Sequence, residues 1–465
     1  MGHAALLEKE KTSHLKTKCT NLNAFSWLHK VAPGFPVNGS KITIIHEPSV
    51  FYSTLLGKCK HARKRITIAS LYLGTGNLEL QLVSMSRNFI LQRLEINNNF
   101  TILLDYMRGS RGQLNSRKML EPLLNGKYRD SCQIFLYHTP QLRGVLKAII
   151  PDRFNELIGL QHMKLYMVDD DIIISGANLS NDYFTNRQDR YFVIEDCREL
   201  CDFYNQLVQR VGEFSFLLQP DGTTIKRLNI ISVLLFCGES LCYLFTFESC
   251  ENEDADTWIF PLIQMGQLNV QHDSQVTLNL LQSAPSGATL RLATGYFNLT
   301  SEYINAVLEH CQATCHLLTA HPTANGFFNA KGIAGGIPAA YTKIEESFYK
   351  RRDKLGQQSR VTLWEFVKPG WTYHAKGLWY SLPDQEKPCL TLIGSPNFGY
   401  RSVNRDLETQ IAVVTKNRKL QHALQEEHER LFKCATPVTR RTFVQHDRIP
   451  PTWVCAAVTL FRYYF

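Results

Sequence analysis

The sequence predicts a duplicated α/β fold, in which two lobes of similar strand order share one site. Three observations lead there. Residues 66–74 (ITIASLYLG) and 290–298 (LRLATGYFN) carry one pattern, apolar-x-apolar-Ala-Ser/Thr-x-Tyr-apolar. Two series of apolar strand patterns then run in the same order along the two halves of the chain. The tripeptide His-x-Lys recurs at the same point of each series, at 162–164 and 374–376.

In the first half the strands are predicted at 66–74, 101–106, 133–137, 162–168, 172–176 and 191–194. In the second they are predicted at 290–298, 316–320, 361–366, 374–380, 390–395 and 409–414. Each is a short apolar run of the kind a buried strand presents. Residues 78–94 and 302–310 read as helices between the early strands, which is the alternation of an α/β lobe. The expected division is an N-terminal segment at 1–40, a first lobe at 41–215, a connector at 216–265, a second lobe at 266–435 and a C-terminal segment at 436–465. The connector is placed by the turn cluster Gln219-Pro-Asp-Gly222 and by the polar acidic run at 248–256.

Composition narrows the function classes. The chain has 465 residues, 44% hydrophobic and 20% charged, which is a globular composition able to build a core. Lysine and arginine number 51 against 42 acidic residues, a net charge of +9. That excludes an acidic disordered chain and suits an anionic partner: nucleic acid, anionic lipid or a phosphorylated substrate. Among 13 cysteines the closest pairs, Cys197/Cys201, Cys237/Cys242 and Cys311/Cys315, lack C-x-x-C spacing, so reduced and mostly buried thiols are expected. No apolar run follows Met1 as a secretory signal requires, the first 30 residues contain no arginine as a presequence would, and Leu6 stands where myristoylation needs Ser or Thr. The apolar run at 228–247 is long enough to span a bilayer, but Asn229, Gly238, Glu239 and Ser240 interrupt it. A glutamate near the bilayer centre costs a few kcal/mol, so a buried or interfacial segment is expected there.

His-x-Lys alone is a weak signal, and His14-Leu-Lys16 is an accidental copy with nothing of interest after it. The other two have context. His162-Met-Lys164 is followed by Asp169 and then Ser175-Gly-Ala-Asn178; His374-Ala-Lys376 is followed by Gly394-Ser-Pro-Asn397 and then Glu408. Residues i and i+2 of a strand share a face, so each His and Lys point to the same side. Two lobes packed together then gather two histidines, two lysines and two asparagines around one point. Ammonium and amide donors suit the oxygens of a phosphodiester or diphosphate, one imidazole can attack phosphorus, and the other can protonate the leaving oxygen. No carboxylate cluster is present to hold a metal, and none is required, so no metal or other cofactor is expected.

These motifs resemble the phospholipase D superfamily pattern H-x-K-x4-D followed by G-[GS]-x-N. The first copy keeps Asp169 but has Ser175-Gly176 where Gly-Ser is usual, and the second has Ser381 in place of the aspartate. Within that superfamily the chain resembles the eukaryotic phosphatidylglycerophosphate synthases, through RGSRG (108–112), LYHTPQLRG (136–144), PDRFNELIGLQHMK (151–164), SGANLSNDYFTNRQDRY (175–191), DTWIFPLIQM (256–265), TGYFNLT (294–300), NGFFNAKGIAGGIPAAY (325–341), GWTYHAKGLW (370–379) and LTLIGSPNFGYRSVNRDLETQIA (390–412). The resemblance covers most of 22–430; residues 226–250 and the last dozen residues depart from it.

The resemblance implies a phospholipase D-like fold, each lobe a mixed β-sheet flanked by helices, with the active site at the lobe interface. It implies transfer of a phosphatidyl group from CDP-diacylglycerol to glycerol 3-phosphate with release of CMP, at the mitochondrial inner membrane. The implied partners are those two substrates and an anionic membrane surface contacted peripherally, with no nucleic acid. In this assignment His162 is the nucleophile and His374 the acid and then the base. Lys164, Lys376, Asn178 and Asn397 stabilise the phosphorane charge. Asp169 belongs to the first motif, and Glu408, or Asp189, fixes the opposite ring nitrogen of a histidine. For substrate binding the expected residues are the backbone of Gly74, Thr75 and Gly76, the cations Arg108, Arg111 and Lys118 for the acceptor's phosphate, and Ser395 of the second turn. Trp364, Trp371, Tyr373 and Trp379 are expected mostly in the core, with one ring left for cytosine or the membrane interface.

Two other readings compete. A phospholipase D-type hydrolase or nuclease uses the same histidines with water as acceptor, and a catalytically silent protein uses only its positive charge on anionic lipid. The metal-dependent CDP-alcohol phosphatidyltransferases make the same product, but their D-G-x2-A-R motif is absent: Asp221-Gly222 runs into Thr-Thr-Ile-Lys.

Overall fold

The computed structural model describes residues 23–91, 99–125, 131–139, 159–226 and 254–461. The apolar run at 228–247, residues 140–144 and the 151–158 part of the motif before His162 lie outside them. The strands form two large mixed sheets. In the first, the spatial order is Thr224–Lys226, Phe216–Leu218, Cys132–Tyr137, Asn99–Asp105, Arg65–Ala69, Leu165–Val168, Asp171–Ser175, Tyr191–Ile194 and Ile42–Ile45. In the second it is Ala435–Pro437, Val361–Phe366, Thr314–Ala320, Thr289–Ala293, Gly377–Ser381, Leu390–Gly394, Leu407–Thr415, Thr257–Met265 and Phe35–Val37. From Phe216–Leu218 to Ile42–Ile45 the first order is reproduced in the second, strand for strand. In each lobe three neighbouring strands are parallel and the remainder antiparallel.

The predicted strands are continuous apolar runs because both faces of each sheet are covered. Along Leu165–Val168, Leu165 and Met167 enter one buried cluster while Tyr166 and Val168 enter another. In the second sheet Ile411 and Val413 face the first of these clusters, and Ala412 and Val414 face a third. The shared cluster takes Met163, Ile174 and Phe192 from one sheet and Ile263, Ile393 and Ile411 from the other, so the lobes are joined by a common core. The helices Arg198–Glu213 and Arg418–Lys433, matched in the two lobes, both contribute to it through residues such as Tyr204, Leu207, Leu424 and Leu431.

Sheet pairing corrects the expected division at both ends. Thr257–Met265, assigned to the connector, is an inner strand of the second sheet, paired along its length with Leu407–Thr415, and is the counterpart of Ile42–Ile45. Residues 216–226, also assigned there, form a hairpin on the edge of the first sheet. Phe35–Val37, in the expected N-terminal segment, closes the edge of the second sheet. A composition shift does not mark a domain limit when an edge strand is short or crosses to the other lobe. A smaller correction concerns the motifs: the strands begin at Leu165 and Gly377, so both His-x-Lys tripeptides sit in the extended segments just ahead of them.

Candidate active site

Both histidines lie at the seam between the sheets and are buried, as are Lys164, Lys376, Asn178, Ser395 and Glu408. Each is held by a carboxylate of the opposite lobe. His162 Nδ1 is 2.9 Å from Glu408 Oε2, and His374 Nδ1 is 2.7 Å from Asp189 Oδ2. A parallel bridge between Gln161 and Leu407, with the His162 N–H donating to the Leu407 carbonyl at 2.8 Å, brings the first crossing about. On the other side Thr372–Tyr373 pairs with Arg187–Gln188, and the His374 N–H donates to the Gln188 carbonyl at 2.8 Å. Glu408 also accepts from Ser402 Oγ at 2.6 Å, and Asp189 accepts the Arg190 N–H at 2.8 Å. With Nδ1 occupied, Nε2 is the nitrogen left for chemistry on each ring.

The lysines stand beside the rings. Lys164 Nζ donates to the His162 carbonyl at 2.6 Å; Lys376 Nζ lies 2.8 Å from the His374 carbonyl and 2.7 Å from His374 Nδ1. A side chain at Gly176 would run into both Lys376 Nζ and the Asp189 carboxylate, which explains a glycine in the small-residue turn. The Oδ1 atoms of Asn178 and Asn397 are buried without a hydrogen-bond partner. Each of these side chains also carries an NH2 group, the donor that suits a phosphate oxygen.

Burial sets the protonation states. It lowers His162 to about 4, with Lys164 adding to the effect and Glu408 opposing it. His374 lies well below its ordinary value through burial, then Lys376 and Arg187. Lys376 is lowered by burial to about 8, and Lys164 falls well below the usual lysine range for the same reason. Burial raises Asp189 to about 6 against the pull of Lys376. Burial also pushes Glu408 up, but His162 and Lys164 outweigh it and hold the carboxyl below its usual range. At neutral pH the free protein thus holds two neutral imidazoles, each oriented by an acceptor, and their unprotonated Nε2 atoms are nucleophiles.

Several predicted residues act differently. Asp169 is not in the site. It occupies the turn after Leu165–Val168 with a left-handed φ of 56°, and its carboxylate accepts the backbone N–H groups of Arg63, Lys64 and Arg65. Four residues of strand carry it from Lys164 to the opposite end of the sheet. Ser395 Oγ donates to the Thr409 carbonyl and accepts the Thr409 N–H, both at 3.1 Å, so it fastens the turn to the strand bearing Glu408 instead of facing substrate. The Gly74-Thr75-Gly76 loop is not a phosphate cradle: the Gly74 N–H is given to the Leu179 carbonyl, and side chains at Gly74 or Gly76 would collide with the buried Glu79 carboxylate. The loop instead props the turn holding Asn178. Arg108 stacks 4.9 Å over Tyr72, whose hydroxyl is 3.1 Å from Ser180 Oγ, and so reaches the site's border. Arg111 and Lys118 are exposed and are not gathered into the buried site. Trp379 and Tyr373 are core, as expected.

The structure adds residues that sequence reasoning passed over. Tyr183 places its hydroxyl 3.3 Å from His374 Nε2, and Arg187 stacks 4.7 Å over the Tyr183 ring. Tyr296 meets His374 edge-on at 5.9 Å. The carboxylates did have a sequence signal: Asp189 follows Asn178 by eleven residues, and Glu408 follows Asn397 by the same eleven. A cavity of about 280 Å³ touches Asp189 and Arg190 but neither histidine, and carries Lys368, Arg430 and Lys433 on its wall. Among the described residues no cluster of His, Cys, Asp and Glu has the makings of a metal site.

Comparison with known proteins places this geometry. The chain is similar over 92% of its length to a phosphatidylserine synthase of Haemophilus influenzae, with a TM-score of 0.72, 94% of that chain covered and 18% identity; at that identity the likeness concerns the fold. No protein-family model matches the sequence. Relatives in sequence are closer. The human mitochondrial CDP-diacylglycerol–glycerol-3-phosphate 3-phosphatidyltransferase is 44% identical over 96% of this chain and 86% of its own length. The enzyme of Saccharomyces pastorianus is 33% identical over 91% of this chain and 88% of its own, and a probable one of Dictyostelium discoideum is 38% identical over 89% and 76%. A phospholipase D-like fold whose two histidines exchange carboxylates across the lobes, with this identity along nearly its whole length, belongs to the family of CDP-diacylglycerol–glycerol-3-phosphate 3-phosphatidyltransferases.

Proposed function

We propose that this chain transfers the phosphatidyl group of CDP-diacylglycerol to a hydroxyl of sn-glycerol 3-phosphate, releasing CMP, in mitochondria and at a membrane surface. The observation that carries the chemistry is the crossed pair of His–carboxylate contacts, which leaves two Nε2 atoms in one seam lined by lysines and asparagine amides. Membership of the family supplies the substrates.

His162 Nε2 attacks the phosphorus bearing diacylglycerol, the bond to the CMP oxygen breaks, and a proton from His374 Nε2 goes to that oxygen. His374 is neutral in the free protein, through burial and then Lys376 and Arg187. A diphosphate entering between these cations offsets their charge and lets His374 take up the proton that the leaving group needs. In the second displacement the glycerol 3-phosphate hydroxyl gives its proton to His374 and attacks phosphorus as the bond to His162 breaks. Lys164, Lys376 and the two asparagine amides bear the charge of each pentavalent state. No step needs a metal ion.

The test incubates labelled glycerol 3-phosphate with CDP-diacylglycerol, with and without EDTA, in wild type, His162→Ala and His374→Ala. Label should enter lipid in wild type and survive EDTA, and fall at least about a thousandfold in each variant. Wild-type rates in either variant, metal-reversible loss in EDTA, or CMP release to water without labelled lipid would overturn the reading. A phospho-adduct trapped on His374 and never on His162 would reverse the two roles.

A further inference from the structure

The helix Thr452–Phe461, sequence TWVCAAVTLF, has no charged residue. One face is used: Val454 and Val458 are buried in the core of the second lobe. The opposite face is apolar as well, and open. Trp453 is 50% exposed and Leu460 is 73% exposed, with Ala456 exposed between them. A surface helix with apolar side chains all round has a second face that water does not suit.

That face continues into the active site. The Trp453 ring packs against Gly336, in the same short turn as Ile333, which is 76% exposed. Five residues before Ile333 is Phe328, 46% exposed, and its neighbour Phe327 lies 6.0 Å from the Tyr296 ring. Tyr296 in turn meets His374 at 5.9 Å. Ring contacts thus lead from the reacting imidazole to Phe327, and the loop that begins there runs on to the turn meeting Trp453. Basic residues stand near it in the chain: Lys331 two residues from Ile333, and Arg440 and Arg441 on the segment leading to the helix, all exposed.

We propose that this surface, the exposed face of Thr452–Phe461 with the Phe328–Ile333 loop, is where the protein docks on an anionic phospholipid bilayer. The proposal rests on the lipid substrate argued above and names the surface that delivers it. Trp453, Ile333 and Leu460 enter the boundary between headgroups and acyl chains, and Lys331, Arg440 and Arg441 meet the anionic headgroups. The diacylglycerol tails then stay in the bilayer while the diphosphate reaches His374 along the Tyr296–Phe327 wall. Among the described residues no helix is long and apolar enough to cross a membrane, and this mode of contact requires none.

The test is flotation of the full chain with phosphatidylcholine vesicles and with vesicles also containing phosphatidylglycerol. A variant combining Ile333→Ser, Trp453→Ser and Leu460→Ser should lose at least about tenfold in affinity for both. A variant combining Lys331→Gln, Arg440→Gln and Arg441→Gln should lose about a hundredfold on the anionic vesicles only. Both should turn over detergent-dispersed short-chain CDP-diacylglycerol within twofold of wild type, which certifies the fold. Wild-type emission should shift to the blue on vesicle binding, and Trp453→Phe, which keeps the packing, should abolish most of the shift. Unchanged flotation of the apolar variant, a shift that persists in Trp453→Phe, or a dimer that the apolar variant splits while still floating would each overturn the proposal. If wild type makes no labelled lipid yet the variants lose vesicle binding as described, the docking surface stands and the assigned reaction falls.

Discussion

Lys376 is the residue whose charge state is most exposed to experiment. Its ammonium is lowered to about 8 by burial, so it is charged below that pH and neutral above it. If the charged form holds the diphosphate, kcat/KM, which reports the free enzyme, should fall as pH rises through about 8. The loss should be smaller in kcat, because bound diphosphate stabilises the ammonium. On the acid side His162, lowered to about 4, must stay neutral to attack, while His374, neutral in the free protein, must gain a proton, so kcat/KM should rise and not fall as pH drops from 7.5 to 6. A pH–rate profile with an acid limb near 6.5 and none near 8 would refute both statements. Asp169 is the contrasting case. Its place five residues after Lys164 invites a catalytic reading, yet it ties down three backbone N–H groups at the far end of a strand. Asp169→Ala should therefore lower the urea unfolding free energy by about 1–3 kcal/mol and leave kcat within twofold. A large fall in kcat at unchanged stability would restore the catalytic reading. Sequence spacing gave the residue's distance along the chain, and the strand between turned that distance into separation from the site.

At the scale of elements, the strands were legible because both faces of each sheet are buried, which leaves uninterrupted apolar runs such as Ile172-Ile-Ile174 and Ile411-Ala-Val-Val414. The segments between a histidine and its strand were not legible, because nothing in His-x-Lys announces where hydrogen bonding begins. Gly377 shows why that junction matters. It has a φ of 130°, and a Cβ there would collide with the Leu392 carbonyl oxygen and the Arg190 guanidinium. Both the backbone conformation and the close approach demand glycine. Gly377→Ala should cost about 3 kcal/mol or more in urea unfolding and, by displacing the adjoining Lys376, reduce kcat/KM at least tenfold. A fully stable and active alanine variant would show that the junction relaxes at little cost. The Gly74–Gly76 loop teaches the converse. Its glycines read as a phosphate loop from sequence, but their lack of side chains makes room for Glu79, whose carboxylate accepts the Asn181 N–H at 2.7 Å and steadies the turn beyond Asn178.

At the scale of the molecule, a duplication read from sequence says that two lobes are alike; it does not say how they depend on each other. The structure makes the dependence mutual. Each catalytic imidazole is oriented by the other lobe, and the side chain of Arg190, in the first lobe, is buried with its hydrogen bonds made to groups of the second. Its guanidinium donates to both Glu427 oxygens at 2.9 and 2.8 Å, to the Leu392 carbonyl at 2.7 Å and to Thr391 Oγ1 at 2.9 Å, and stacks 3.9 Å over Trp379. Such a contact cannot break without exposing the common core, so calorimetry should find one unfolding transition for both lobes. Arg190→Ala leaves the Glu427 carboxylate buried with only the Trp379 indole N–H as a side-chain donor, which should cost about 3–5 kcal/mol. Because the lobes unfold together, that loss should move the whole transition, by a few degrees in a chain this long. Replacing both partners, Arg190→Met with Glu427→Leu, removes the stranded charge and should recover most of the midpoint, though not the hydrogen bonds to Leu392 and Thr391. Two resolved transitions, with Arg190→Ala shifting one and sparing the other, would mean that the lobes are independent and that the exchange of carboxylates is a consequence of docking and not a condition of folding.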